Sequence, residues 1–156
     1  MLSNPVKVII SDTACLIGLT NIGQINLLQK MYGSIIVTPE VMKEYGVQLP
    51  EWIIVQEVSD HNKISVFEKF MGLGESSAIA LAMETENALL IVDDKRARQF
   101  ALSLGVEIIG TLGLLILAYE KGIIQDIDSI IASLREIEFR LPANTESLIK
   151  AMKKRK

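Results

Sequence analysis

A chain of 156 residues that is 49% hydrophobic has the length and apolar content for one domain with a sizeable core. A net charge of −3 argues against wholesale coating of nucleic acid, which asks for a basic surface, but leaves room for local patches such as DKRAR and the terminal KAMKKRK. The single cysteine excludes an internal disulfide, a redox pair or a zinc ribbon, and it fits a cytoplasmic protein.

In chain order, the opening MLSNPVKVIISD lacks a basic segment followed by a long apolar run, so it reads as a first strand over 6–10 and not as an export signal. That strand runs into Asp12, whose ordinary reading is the N-cap of a helix over 14–31 that breaks near 21–23. A second strand at 34–37 meets Thr38, a cap, and Pro39 in the first turn of a helix over 39–45. A weaker strand at 53–58 is followed by helices near 63–71 and 75–86. A strand at 88–92 ends in Asp93 and Asp94 and precedes a helix over 95–104, a strand at 107–109, and helices over 111–121 and 126–137. The last helix, 145–154, leads into a basic end, so the expected division is a domain over 1–152 and a tail over 153–156. Glycines 33, 46, 105 and 122 each follow a helical run, where a C′ glycine belongs. The longest uncharged run, IIGTLGLLILAY, is too short to span a bilayer, so no membrane partner is expected.

Short apolar runs alternating with longer helical patterns predict an α/β fold with a central, mainly parallel sheet of four to five strands flanked by helices. Ligands of such sheets bind outside the carboxyl ends of the strands. Asp12 ends the first strand and Asp93–Asp94 end the strand at 88–92, so parallel strands would bring these acids to one edge. One aspartate of the pair suffices to cap the following helix; the second asks for another reason, because adjacent carboxylates repel. Glu75, at the start of its helix, is where the dipole favours an acid. Glu44 lies in a last turn, where the dipole disfavours one, and is therefore preferred over Glu40 as a functional group. Hard oxygen donors without a Cys or His set suit Mg²⁺ or Mn²⁺, not zinc.

The order of these pieces resembles the PIN domain, a fold of metal-dependent ribonucleases that includes VapC-type toxins. The resemblance lies in IISDTACLIGL with Asp12, VTPEVMKEYG with Glu44, LGLGESSAIALA with Glu75, and ALLIVDDKRARQF running on to GTLGLL. It is strongest to a branch in which DD-x-x-AR and GT-x-G-x-L recur together. It implies that Asp12, Glu44, Glu75 and one or both of Asp93 and Asp94 bind the metal, that water attacks an RNA phosphodiester, and that Thr13 and Thr111 support the acids. Position at the strand end favours Asp94 over Asp93. Glu75 stands where many PIN proteins have Asp.

Other chemistries fit less well. Cys15 lies in an apolar helix and His61 in the polar stretch SDHNK, without the frame of a cysteine hydrolase. A dehalogenase-type phosphatase needs an acid at Ala14, and a phosphoacceptor receiver needs its acidic pair earlier in the chain. Lys95, Arg96 and Arg98 are candidates for RNA phosphates, with Lys153, Lys154, Arg155 and Lys156 as an extension. At 5% aromatic residues, no stacking platform for bases is expected. The expected function is a Mg²⁺- or Mn²⁺-dependent endoribonuclease; the resemblance alone further implies the toxin of a prokaryotic pair with a small antitoxin partner, and a homodimer as PIN toxins commonly form. The alternative is a non-catalytic PIN-like module that binds RNA or protein.

Overall fold

The computed structural model describes residues 6–155. Five strands, β1 (Val8–Ser11), β2 (Ile35–Val37), β3 (Ile53–Val55), β4 (Ala88–Ile91) and β5 (Glu107–Ile109), form one sheet in the order β3-β2-β1-β4-β5. Every pairing is parallel. The helices are α1 (Thr13–Asn21), α2 (Asn26–Tyr32), α3 (Pro39–Tyr45), α4 (His61–Phe67), α5 (Leu73–Glu84), α6 (Lys95–Ser103), α7 (Thr111–Glu120), α8 (Ile127–Glu136) and α9 (Thr145–Arg155).

Side chains of a strand alternate between faces, and here each face has its own core. Ile9, Ile35, Val37 and Ile91 pack with Leu16, Leu28, Leu114 and Leu134 on one side. Ile10, Leu90 and Val92 pack with Ile79, Ala97 and Phe67 on the other. Burial on both faces is why the central strands read as unbroken apolar runs. Each fully buried Leu or Ile contributes about 1.5–3 kcal/mol relative to exposure. Helix α5 is buried on nearly all sides from Gly74 to Ala82, and its small residues Ser76, Ser77, Ala78 and Ala80 let it lie close against its neighbours.

Several boundaries differ from expectation. Strand β1 begins at Val8 and reaches Ser11 because its ladder is set by β4, with Val8 opposite Ala88 and Ser11 opposite Ile91. Strand β3 is shorter than 53–58 but is a full member of the sheet; its weak signal follows from an edge position that leaves Ile54 50% and Val55 40% exposed. Helix α4 starts at His61, capped by the Asp60 side chain on the Asn62 amide, so His61 opens a helix and does not lie in a loop. Helix α5 starts at Leu73, ahead of Glu75. The basic end is helical through Arg155, with Lys153 paired to Asp128 and Arg155 to Glu120 at 3.7 Å. Residues 1–5 of the expected first segment and Lys156 lie outside the described residues. Among the described residues, no helix is long and apolar enough to cross a membrane.

Candidate metal and phosphodiester site

Strand β1 lies at the centre of the sheet, and the chain winds outward to β2 and β3 on one side, then to β4 and β5 on the other. The crevice between the carboxyl ends of β1 and β4 is therefore the topological switch point, where open α/β sheets place ligands. Asp12 stands in that crevice with only 1% of its surface exposed. One carboxylate oxygen accepts the Cys15 amide at 3.1 Å, capping α1, and the other accepts the Asp93 amide at 3.2 Å. The cap expected from sequence is present, and it ties β1 to the end of β4 at the same time.

Asp93 turns toward α7. Its Oδ1 accepts the Thr111 amide at 2.8 Å and its Oδ2 accepts the Thr111 hydroxyl at 2.6 Å. Asp94 caps α6 through the Ala97 amide at 2.9 Å. Consecutive residues leaving a strand diverge, so the pair serves two places: Asp93 faces Asp12, and Asp94 faces Glu75.

Glu44 answers its unfavourable place in the last turn of α3 by reaching another helix. Its Oε2 accepts the Gly74 amide of α5 at 3.1 Å, and its Oε1 accepts the Thr13 hydroxyl at 2.6 Å. The approach depends on the missing side chain at Gly74, since a Cβ there would stand 2.1 Å from Glu44 Oε1. Thr38 and Ser77 fix the docking of α3 on α5 by a 2.7 Å hydroxyl pair, and the Ser77 hydroxyl donates to the Gly74 carbonyl at 2.8 Å. Neither Thr13 nor Thr111 is a helix cap: each is the first residue of its helix, and each hydroxyl bonds a carboxylate. Glu40, set aside in favour of Glu44, is not among the residues that line the crevice.

The crevice is a cavity of about 410 Å³ whose wall carries all five acids, Asp12, Glu44, Glu75, Asp93 and Asp94. Phe139 and Arg140, from the connection between α8 and α9, close one side. Glu75 Oε2 is buried without a hydrogen-bond partner among the described residues. Burial, then the Asp93 charge and to a lesser degree the Glu75 charge, push Asp12 up to about 8 against the lowering pull of the Cys15 and Asp93 amides. Burial raises Asp93 against the opposing pull of Thr111 and Arg98. Glu75 is raised by burial and by the charges of Asp94 and Glu44. The site is thus short of positive charge. Cys15, fully buried, has its thiol pushed well up by burial and by the Asp93 and Asp12 charges, which keeps it neutral and inert.

A family model described as a PIN domain matches residues 8–154. The chain belongs to the PIN domain family. No curated protein and no solved structure matches it. PIN domains are generally nucleases, and the five-stranded parallel sheet flanked by helices is consistent with that fold.

The donor set of this PIN domain suits a divalent cation of the Mg²⁺ class: oxygen ligands only, mutual repulsion left partly uncompensated, and a buried Glu75 oxygen with no hydrogen-bond partner among the described residues. Among the described residues, no group of three acidic, His or Cys side chains is already gathered around one ion position. Part of the reason is visible, since Glu44 is held by Thr13 and Gly74, and Asp93 by Thr111.

Of the expected RNA-contacting cations, Lys95 and Arg96 are exposed at the mouth of an adjoining cavity. Arg98 turns inward instead, donating to the Val92 carbonyl at 3.0 Å and lowering the pKa of Asp93 by its charge. Arg140, Phe139 and Gly74 escaped the sequence reading. The GLG before Glu75 was a usable signal for Gly74, because a glycine inside a helix start implies close backbone approach. Nothing local marks Phe139 and Arg140, which only the tertiary fold carries to the crevice.

Proposed function

We propose that this PIN domain is a Mg²⁺- or Mn²⁺-dependent endoribonuclease that hydrolyses RNA phosphodiester bonds in the crevice between β1 and β4. The observation that carries the reading is five carboxylates on one cavity wall at the switch point, with Asp12 pushed up to about 8 by burial and the Asp93 charge. A divalent cation held there would supply positive charge for the phosphate and lower the pKa of water.

Asp12, Glu44, Glu75, Asp93 and Asp94 are the groups that would hold it. Asp12 and Asp93 form the inner pair, kept in place by backbone amides and Thr111. Glu75 and Asp94 form the outer pair, facing the adjoining cavity, and Glu44 bridges to α5. Thr13 and Thr111 orient the carboxylates they bond. Lys95 and Arg96 lie where an RNA phosphate leaving the crevice would pass, while Arg98 stays with Asp93 as its counter-charge. Water attack at phosphorus expels one ribose oxygen, which takes up a proton as the strand separates.

We extend the proposal to the toxin of a prokaryotic pair: a cytoplasmic homodimer held in check by a small antitoxin protein. Support for this comes from the PIN family itself, and a small neighbouring reading frame with a DNA-binding pattern would bear on it. A second reading, a PIN-like module that binds RNA without cleaving it, is favoured by one observation: the acids are not already gathered around an ion position. One experiment separates the two. A mixed RNA pool is incubated with the protein and Mn²⁺, with EDTA as control and Asp93→Asn as the variant, since Asn at that position can still accept the Thr111 amide. Mn²⁺-dependent cleavage lost in the variant supports the nuclease. Metal-independent cleavage refutes the mechanism, and binding without cleavage by the unaltered chain supports the non-catalytic module.

A further inference from the structure

We propose that the cavity bounded by Phe70, Lys95, Arg96 and Gln99 seats one base of single-stranded RNA next to the carboxylate crevice, an inference that rests on the ribonuclease reading above. The cavity measures about 460 Å³ and shares Glu75 and Asp94 with the crevice, so a strand whose phosphate reaches the acids has its neighbouring nucleotide here. Its volume lies in the range of small-ligand pockets, about 300–1,000 Å³.

Phe70 is the decisive group. The chain has four phenylalanines, and this one, in the turn between α4 and α5, leaves 53% of its surface in solvent. It is backed by Phe100 at 6.2 Å between ring centroids and 31° between planes, and Phe100 in turn meets the buried Phe67 edge-on at 5.0 Å. An aromatic ladder thus rises from the core and ends in a ring with an open side. Arg96 Nη1 donates to the Phe70 carbonyl at 3.4 Å, tying the turn to α6.

On the α6 side, Lys95, Arg96 and Gln99 are exposed, and neither cation forms an ion pair among the described residues. An aromatic face, two cations and an amide are the three kinds of group that a nucleotide uses: stacking for the base, charge for the phosphate, and donor or acceptor for the base edge. Scarcity of aromatics argued against a stacking platform, but a single base needs a single ring. Helix packing brings Phe70 beside cations that lie far from it in sequence.

The test is fluorescence anisotropy of the full chain with a labelled ten-nucleotide oligouridine and with an abasic strand of equal length and charge, in an Asp93→Asn background that keeps bound RNA intact. Phe70→Ala is expected to weaken oligouridine binding on the order of ten-fold, the scale of one lost base–aromatic stack, and to leave the abasic strand unaffected. Phe70→Trp is expected to restore affinity, with its added fluorescence quenched by oligouridine and not by the abasic strand. Unchanged oligouridine binding in Phe70→Ala, or equal loss on both strands, overturns the base seat while RNA cleavage by the unaltered chain leaves the nuclease reading standing. A chain that binds neither strand and cleaves no RNA overturns both.

Discussion

Gly74→Ala tests the site without deleting any of its carboxylates. The new methyl would stand 2.1 Å from Glu44 Oε1, 2.8 Å from Glu44 Cδ and 3.0 Å from Thr13 Oγ1, so the Glu44 carboxylate must retreat by more than an ångström. Glu44 is exposed and has freely rotating bonds, so it can swing toward solvent while the backbone stays. Leaving costs the bonds from the Gly74 amide and the Thr13 hydroxyl, each about 1 kcal/mol, and alanine returns about 1 kcal/mol through its better helix propensity. The metal-free fold should therefore change by about 1 kcal/mol or less. Cation binding should suffer more. A ten-fold loss of affinity removes about 1.4 kcal/mol of metal-dependent stabilisation, which is about 3–6 °C in melting temperature for a domain of this size. Thermal melts with EDTA and with saturating Mn²⁺, read beside RNA cleavage, measure both quantities. A variant with the full Mn²⁺ shift and unaltered cleavage would show that Glu44 takes no part in the site, and Glu44→Gln should then be equally silent.

Three further outcomes are expected. The folded-state pKa of Asp12, about 8, lies above the unfolded value of 3.8, so the native state holds this proton more tightly and its stabilisation, present below about pH 4, is lost as pH rises toward 8. Urea melts in EDTA should show stability falling across that window by an amount on the order of 5 kcal/mol at the limit, with Mg²⁺ flattening the slope; stability that rises with pH refutes the charge deficit. Thr111→Val keeps the amide bond to Asp93 but removes the hydroxyl, and should cost about 1 kcal/mol in urea melts and weaken Mn²⁺ binding by calorimetry, whereas unaltered Mn²⁺ binding would detach Thr111 from the site. Gly18→Ala would put a Cβ 2.6 Å from Phe139 Cε2, pushing the segment that carries Arg140; it should destabilise by about 1–3 kcal/mol and reduce cleavage, and a neutral result on both would separate that segment from the crevice.

The alternation of strands and helices was legible because buried strands are short apolar runs that end at a helix cap, as at Thr38, whose hydroxyl accepts the Val41 amide, and helices end at a glycine, as at Gly46, whose φ of 78° closes α3. Asp12 and the Asp93–Asp94 pair were legible for the same reason, since strand ends can be read locally and parallel ends share an edge. The direction of Arg98 was not. Its neighbours Lys95 and Arg96 face solvent, and only the rotation of α6 against the sheet turns Arg98 onto Val92 and Asp93. The partnership of Glu44 with Gly74, and the arrival of Phe139, depend on how α3 meets α5 and how the last helices fold back, which no local pattern records.

Asp93 and Asp94, between which position at the strand end favoured Asp94, both line the crevice. The two leave β4 in different directions, and each acquires a different partner: Asp93 is set against Asp12 in the interior, and Asp94 against Glu75 toward the adjoining cavity. The cost is greatest for the inner pair, because charges in low dielectric repel strongly and Asp12 is 1% exposed. The fold offsets part of that cost with backbone amides on Asp12, two donors from Thr111 on Asp93, and the Arg98 guanidinium. These do not suffice to bring Asp12 back to the ordinary carboxylate range. A structural role alone would be served better by Asn or Ser at one of the two positions. The presence of both acids, with the repulsion left standing, is what the proposed cation site would use, since a bound divalent cation would relieve that repulsion.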